Sequence, residues 1–154
     1  MFLLKQYIDV TKEYINKTTK GIGNILYDEG YNIASHTDEI KVAILIHNIF
    51  GGNIRLINEN NCSFGIKTSD YEWNGKLWEL KILKSPNSID SALRKGIEQI
   101  YINPGGVILY FENKIDSIKE VKTKIKSRIE TSCRFKIDIL IMSMGKLEKV
   151  VRYN

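Results

Sequence analysis

Asp70, Glu79 and Lys81 stand in the stretch SDYEWNGKLWELK, running from Ser69 to Lys81. Two carboxylates and an ammonium can hold a hard divalent cation through oxygen and offset the charge that builds on a phosphate under attack. They can do so only if the chain folds back between them. Asn74-Gly75 supplies the turn, because Asn-Gly between strand-like runs is the strongest short-range signal of a two-residue type I′ hairpin. That register sets Trp73 opposite Lys76, Tyr71 opposite Trp78 and Asp70 opposite Glu79. Side chains alternate along a strand, so Glu79 and Lys81 share a face with Asp70 and Thr68, and Trp78, Leu80 and Ile82 cover the other.

Like charges directly opposed on paired strands are destabilising, so Asp70 beside Glu79 is expected to need a positive partner. A divalent cation is one. The competing reading is a solvated strand face on which Lys81 forms a weak surface pair with Glu79. The spacing alone leaves both open.

The elements that must position these residues can be read on either side. Leu4, Tyr7, Ile8, Tyr14 and Ile15 predict one or two peripheral helices over residues 1–37, interrupted near Gly21 to Gly23. Thr37 or Asp38 can cap a helix from Glu39 to Phe50, apolar nearly all round and so buried, which Gly51-Gly52 ends. Strands are expected at Asn53 to Asn58, Gly65 to Trp73 and Lys76 to Leu83. An amphipathic helix follows over Ser88 to Tyr101, with Ile89, Ala92, Leu93, Gly96, Ile97, Ile100 and Tyr101 on one face. A strand at Val107 to Phe111, a helix from about Ile118 to Ile129 and strands at Phe135 to Met142 and Leu147 to Tyr153 complete the pattern.

Composition narrows the function classes. At 154 residues and 43% apolar content the chain is one globular α/β domain, and its net charge of +5 permits a polyanionic partner without demanding one. Cys62 and Cys133 have neither metal-ligand spacing nor the density of a disulfide framework, which fits a reducing compartment. No apolar run approaches the length of a membrane span.

Helix, three strands, helix and strand give the order αβββαβ, with an acid ending the second strand and E-x-K on the third. In these features residues 38–112 resemble the PD-(D/E)XK nuclease superfamily, the restriction-endonuclease-like fold. The resemblance implies a mixed central sheet flanked by helices. It makes Asp70 and Glu79 the metal-holding acids and Lys81 the third catalytic group. Glu39 matches the auxiliary acid on the first core helix, and Gln99 a glutamine that some members carry on the second. The implied cofactor is a divalent metal, Mg²⁺ or else Mn²⁺ or Zn²⁺. Ser69 stands where the signature has proline. Residues 1–37 would then be a peripheral helical segment and 113–154 a C-terminal helix with two strands.

FGGNIRLINE, DYEWNGKLWELK and ALRKGIEQIYINPGGVILYF are also similar to C-terminal toxin domains of bacterial contact-dependent growth inhibition proteins, several of which are tRNA nucleases. That similarity implies RNA, and tRNA in particular, over DNA as substrate. It also implies delivery into a target cell, action in the cytoplasm and a cognate immunity protein. Metal-independent RNases of the barnase and colicin type, a DNA endonuclease of the same fold and a non-catalytic nucleic-acid-binding domain are the alternatives.

Other residues could meet nucleic acid. Arg94 and Lys95 project from the second core helix, Trp73 sits near the hairpin tip where it could stack on a base, and Lys119, Lys122, Lys124, Lys126 and Arg128 could follow a phosphate backbone. Each also suits a bland role as a solvated helix face or a core aromatic. A metal-independent RNase would need His36 or His47, or Glu79 with Arg94 or Lys95. His47 lies within the apolar helix and reads as a satisfied core histidine, whereas His36 lies in a polar turn.

Overall fold

A computed structural model of the protein describes residues 6–17, 19–61 and 68–154. Its strands are β1 (Tyr7–Asp9), β2 (Ile25–Tyr27), β3 (Ile54–Leu56), β4 (Tyr71–Trp73), β5 (Lys76–Leu83), β6 (Pro104–Phe111), β7 (Ile137–Ser143) and β8 (Lys146–Tyr153). The helices are α1 (Thr11–Asn16), α2 (Thr37–Phe50), α3 (Ile89–Ile100) and α4 (Ile118–Ser132). All the strands join one mixed sheet in the order β1-β8-β7-β6-β5-β4-β3-β2.

The two hairpins follow from their turns. Asn74 and Gly75 both have positive φ, as do Met144 and Gly145, which is the demand of a type I′ turn. Between the hairpins, β5, β6 and β7 run parallel, joined by α3 and α4 as crossovers. Every residue of β7 is buried, as are the last six of β6, because helices cover both faces of the parallel strands.

The hydrophobic core is therefore in two halves. On one face α3 and α4 press Leu93, Ile97, Val121, Ile125 and Ile129 onto Val107, Leu109, Ile139 and Ile141. On the other, Val42, Ala43, Ile46 and Phe50 of α2 meet Ile54, Tyr71, Trp73, Trp78, Ile108 and Leu140. Alternation along each strand divides its side chains between the halves.

The structure corrects the reading of the N-terminal 37 residues as a helical segment. Among the described residues before α2, α1 is the only α-helix; Tyr7–Asp9 pairs antiparallel with β8 and Ile25–Tyr27 pairs parallel with β3. These strands are three residues long and lie at the sheet's two edges, where pairing comes from the partner's free backbone groups rather than from any local alternation. Helix α2 begins at Thr37 with His36 as its N-cap residue, and no side chain caps it. It is not buried all round, since Ile44 is exposed. Its end is as expected: Gly51 has φ of 72°, and a Cβ there would fall 1.8 Å from the Thr19 carbonyl oxygen. Strand β4 covers only the last part of the predicted Gly65 to Trp73, of which residues 65–67 lie outside the described residues, as does Cys62.

Candidate active site

The hairpin carries Tyr71 opposite Trp78, Glu72 opposite Leu77 and Trp73 opposite Lys76, the register set by the Asn-Gly turn. The ladder stops there. Strand β5 continues to Leu83 while β4 begins only at Tyr71, so the backbone of β5 beyond Trp78 loses its neighbour on that side. Side chains take the place of the missing strand. Asp70 Oδ2 accepts from the Leu80 N–H at 2.8 Å, and Glu79 Oε1 accepts from the Asp70 N–H at 3.0 Å. The Asp70 carbonyl accepts from Ile57 N–H at 3.0 Å, which pins the same residue to the chain beyond β3. The expected direct pairing of Asp70 with Glu79 is thus replaced by a reciprocal exchange between side chains and backbone, and both acids are fixed by it.

Glu79 is 6% exposed. Its other oxygen, Oε2, lies 3.2 Å from Lys81 Nζ, so the ammonium neutralises it at the mouth of the cleft. Helix α3 comes close over it at Gly96, where an added Cβ would stand 3.1 Å from Val107 and 3.8 Å from the Glu79 side chain.

The third carboxyl arrives from the opposite layer. Glu39, in the first turn of α2, accepts from the Tyr31 hydroxyl at 2.6 Å and faces His36 Nδ1 at 3.5 Å. Its carbonyl oxygen accepts from Tyr71 OH at 2.5 Å, which ties the start of α2 to β4. Glu39 and Asp70 stand together, and each is pushed up to about 7, first by burial and then by a neighbouring carboxylate: Asp70 acts on Glu39, and Glu79 on Asp70. Two acids so placed share a proton near neutrality or else require a cation. The Tyr31 hydroxyl is held well above its usual range by burial and by its bond to Glu39.

These groups line a cleft of about 320 Å³ with His36, Asp38, Glu39, Asp70, Glu79 and Lys81 on its walls. A second hollow of about 260 Å³, lined by Asn32, Asn58, Asn60 and Ser69, adjoins it across Glu39 and Asp70. Among the described residues, no group of three or more His, Cys, Asp or Glu side chains is placed so as to hold a metal ion. Glu79 is paired with the Lys81 ammonium, whereas Glu39 and Asp70 are the two carboxyls that burial and neighbouring carboxylates push up. That donor set, two oxygen ligands with raised affinity for positive charge, suits a hard cation that keeps several waters.

The structure therefore brings Asp70, Glu79, Lys81 and Glu39 into one cleft. Arg94, Lys95 and Gln99 do not join it: the first two are exposed on α3, Gln99 is half-buried, and none lines the cleft. Trp73 is corrected outright. It is 5% exposed, packs its ring 5.0 Å from that of Trp78 and donates its indole N–H to the Gly51 carbonyl at 3.0 Å. The hairpin register itself places it on the Trp78 face. Trp73→Ala is expected to cost about 3–5 kcal/mol in chemical denaturation, the loss of a buried aromatic.

Of the basic residues on α4, Arg128 is spent on Asp90, Lys126 approaches Glu130, and Lys122 lies over the Tyr7 ring. His47 Nε2 pairs with the Gly23 carbonyl oxygen at 3.1 Å, as a satisfied histidine should. Tyr31 and Tyr71, whose hydroxyls bond Glu39, are not singled out for this site by the sequence, and His36 is named there only for a metal-independent RNase and not as a partner of Glu39. For His36 a signal existed, since it precedes α2 and stands three residues before Glu39. Tyr31 gave none, because its approach is tertiary.

No family model matches the chain, and no curated protein does. Among solved structures the chain is similar to one chain of a CdiA-CT/CdiI toxin and immunity complex from Burkholderia pseudomallei, with a TM-score of 0.48 and 13% identity over 82% of this chain and 98% of that one. A likeness of that degree assigns neither a family nor an activity.

Proposed function

We propose that the protein is a metal-dependent endonuclease of PD-(D/E)XK type that cleaves RNA, and that it is a toxin domain acting on tRNA. The observation that carries the reading is the meeting of Glu39, Asp70, Glu79 and Lys81 at the point where β4 leaves β5. A purely structural strand face would not bury a carboxylate at 6% exposure and set two more acids beside it. The preference for tRNA, action in the cytoplasm of a target bacterium and a cognate immunity protein rest on the sequence resemblance to contact-dependent toxins.

Asp70 and Glu39 would hold the cation, Mg²⁺ in the first instance, with Glu79 supporting Asp70 through its backbone N–H. When bound, the metal supplies Lewis-acid polarisation of a phosphate and lowers the proton affinity of water. The chain's own residues do the rest. Lys81, kept near the cleft mouth by Glu79, places its ammonium where negative charge accumulates on the phosphate. Tyr31 and His36 hold the Glu39 carboxyl in a single orientation. No helix among the described residues is long and apolar enough to cross a membrane.

The test is cleavage of total RNA and plasmid DNA by purified protein with Mg²⁺ and with EDTA. Loss of discrete tRNA bands in Mg²⁺ alone is expected. Cleavage that survives EDTA would move the chemistry to metal-independent acid-base catalysis, DNA cleavage would change the substrate, and no cleavage by folded protein would leave a binding domain.

A further inference from the structure

Strand β2 ends the sheet, and among the described residues no strand pairs with its far side. Parity decides which of its backbone groups stay open. The Asn24 carbonyl accepts from the Ile54 N–H at 2.9 Å and the Asp28 N–H donates to the Leu56 carbonyl at 3.0 Å, so Asn24, Leu26 and Asp28 turn their backbone groups to β3. Ile25 and Tyr27 turn theirs outward, each with one N–H and one carbonyl. The opening is bounded at both ends. The Gly23 carbonyl is taken by His47 Nε2, and the chain turns away at Glu29 and Gly30.

The surface around this edge is apolar. Ile22, Leu26, Tyr27 and Ile33 are exposed by 66, 56, 44 and 58%, all in one short stretch about β2. Sheet edges are commonly guarded by lysine, proline or a bulge. Residues 21–34 hold no Lys, Arg or Pro, and β2 pairs with β3 without a break in register, so shortness is its one safeguard. Apolar side chains gathered beside open backbone groups mark a surface for another strand.

That edge is complementary to itself. A second copy laid antiparallel and centred on Leu26 sets Ile25 opposite Tyr27 of the partner subunit and Tyr27 opposite the partner's Ile25, which meets every outward N–H and carbonyl of β2. The two Leu26 side chains then touch across the two-fold axis on one face, and aliphatic–aromatic pairs form on the other. A shifted register that sets Ile25 or Tyr27 opposite itself leaves the other residue facing Gly23 or Glu29, where the edge has ended. The charges agree, since Asp28 falls opposite Asn24 and Glu29 opposite Gly23, with no like charges face to face.

We propose that the protein self-associates as a two-fold dimer through antiparallel pairing of β2, which joins two sheets into one. None of these residues lines the acid cleft, so the dimer is independent of the nuclease reading.

Sedimentation equilibrium from low-micromolar to submillimolar protein tests this. The average mass is expected to rise from 17.8 kDa toward twice that value, with the weak affinity of a small interface. Leu26→Lys, at an exposed position, should keep the fold by circular dichroism and weaken association about tenfold or more, because it sets like charges on the axis. A second measurement needs no variant. Raising the wild-type concentration should slow amide exchange at Ile25 and Tyr27, whose N–H groups are open in the monomer, more than at Leu26, whose N–H faces β3 in both states. A wild type that stays monomeric throughout overturns the proposal. So does a dimer that Leu26→Lys leaves intact, or protection that rises with concentration only at β1 or on another surface.

Discussion

Replacing Glu79 by glutamine is expected to reduce RNA cleavage on the order of a thousandfold while leaving the protein folded. The amide oxygen can still accept from Asp70 N–H, so the backbone exchange that fixes Asp70 is kept. What disappears is the negative charge that holds Lys81 and confines Asp70. Lys81→Met should fall by a similar factor, because the charge on the phosphate loses its neighbouring ammonium. Tyr31→Phe, which only orients Glu39, should lose about tenfold or less. Single-turnover cleavage of a tRNA transcript in Mg²⁺, with circular dichroism to confirm folding, measures all three. A Glu79→Gln rate within about fivefold of wild type would remove this residue from the chemistry.

The second large effect is on stability. Asp70 and Glu39 titrate at about 7 in the fold, against ordinary values of 3.8 and 4.5. Between those limits the folded chain binds more protons than the unfolded one. Stability therefore falls as pH rises from about 4 to about 7 and is level above, the reverse of the usual carboxylate contribution. Asp70→Asn removes the repulsion and keeps an acceptor for Leu80 N–H. At pH 8 it should be more stable than wild type by ~2 kcal/mol, about half of what the full shift converts to, because the pair shares the penalty. Urea denaturation from pH 4.5 to 8.5 tests this. Mg²⁺ should restore stability to the wild type at pH 8 and do little for the variant. A wild-type curve that rises from pH 5 to pH 8 would show that the acids are not crowded.

A stabilised but inactive Asp70→Asn would also show why part of the site was legible in sequence and part was not. Asn74-Gly75 fixes register locally, so the strand carrying Glu79 and Lys81, and its two faces, can be read from the turn outward. The same arithmetic assigns Trp73 to the core; the turn position made it look accessible, and period two overrules that. The departure of Asp70 from the ladder is different. It depends on β4 being three residues long, and strand length there is decided by β3 and by Glu79 reaching back, not by residues near Asp70. Glu39 could be named from the helix order and His36 from its i, i+3 spacing to it, but Tyr31 reaches Glu39 through a turn with no periodic signal. Strands β1 and β2 escaped for a related reason, since three residues carry too little alternation to distinguish an edge strand from a helix.

Those two short strands have a consequence for how the molecule opens. A single N-terminal stretch closes both margins of the sheet, β1 at one side and β2 at the other, and Tyr7 pairs with Tyr153 across nearly the whole sequence. Contacts so distant in sequence repay their chain entropy last, and three-residue pairings are the first to release. Amide exchange should accordingly form a gradient, slowest in β6 and β7 and fastest at the two margins. The acid cleft is lined by the start of α2, by Asp70 and by β5, so Glu79 and Lys81 stand on the strand next to the slow-exchanging β6 while Glu39 and Asp70 come from outside it. If the protein acts as proposed, local opening on the Glu39 side is the motion expected to admit a polymer, with Glu79 fixed on β5.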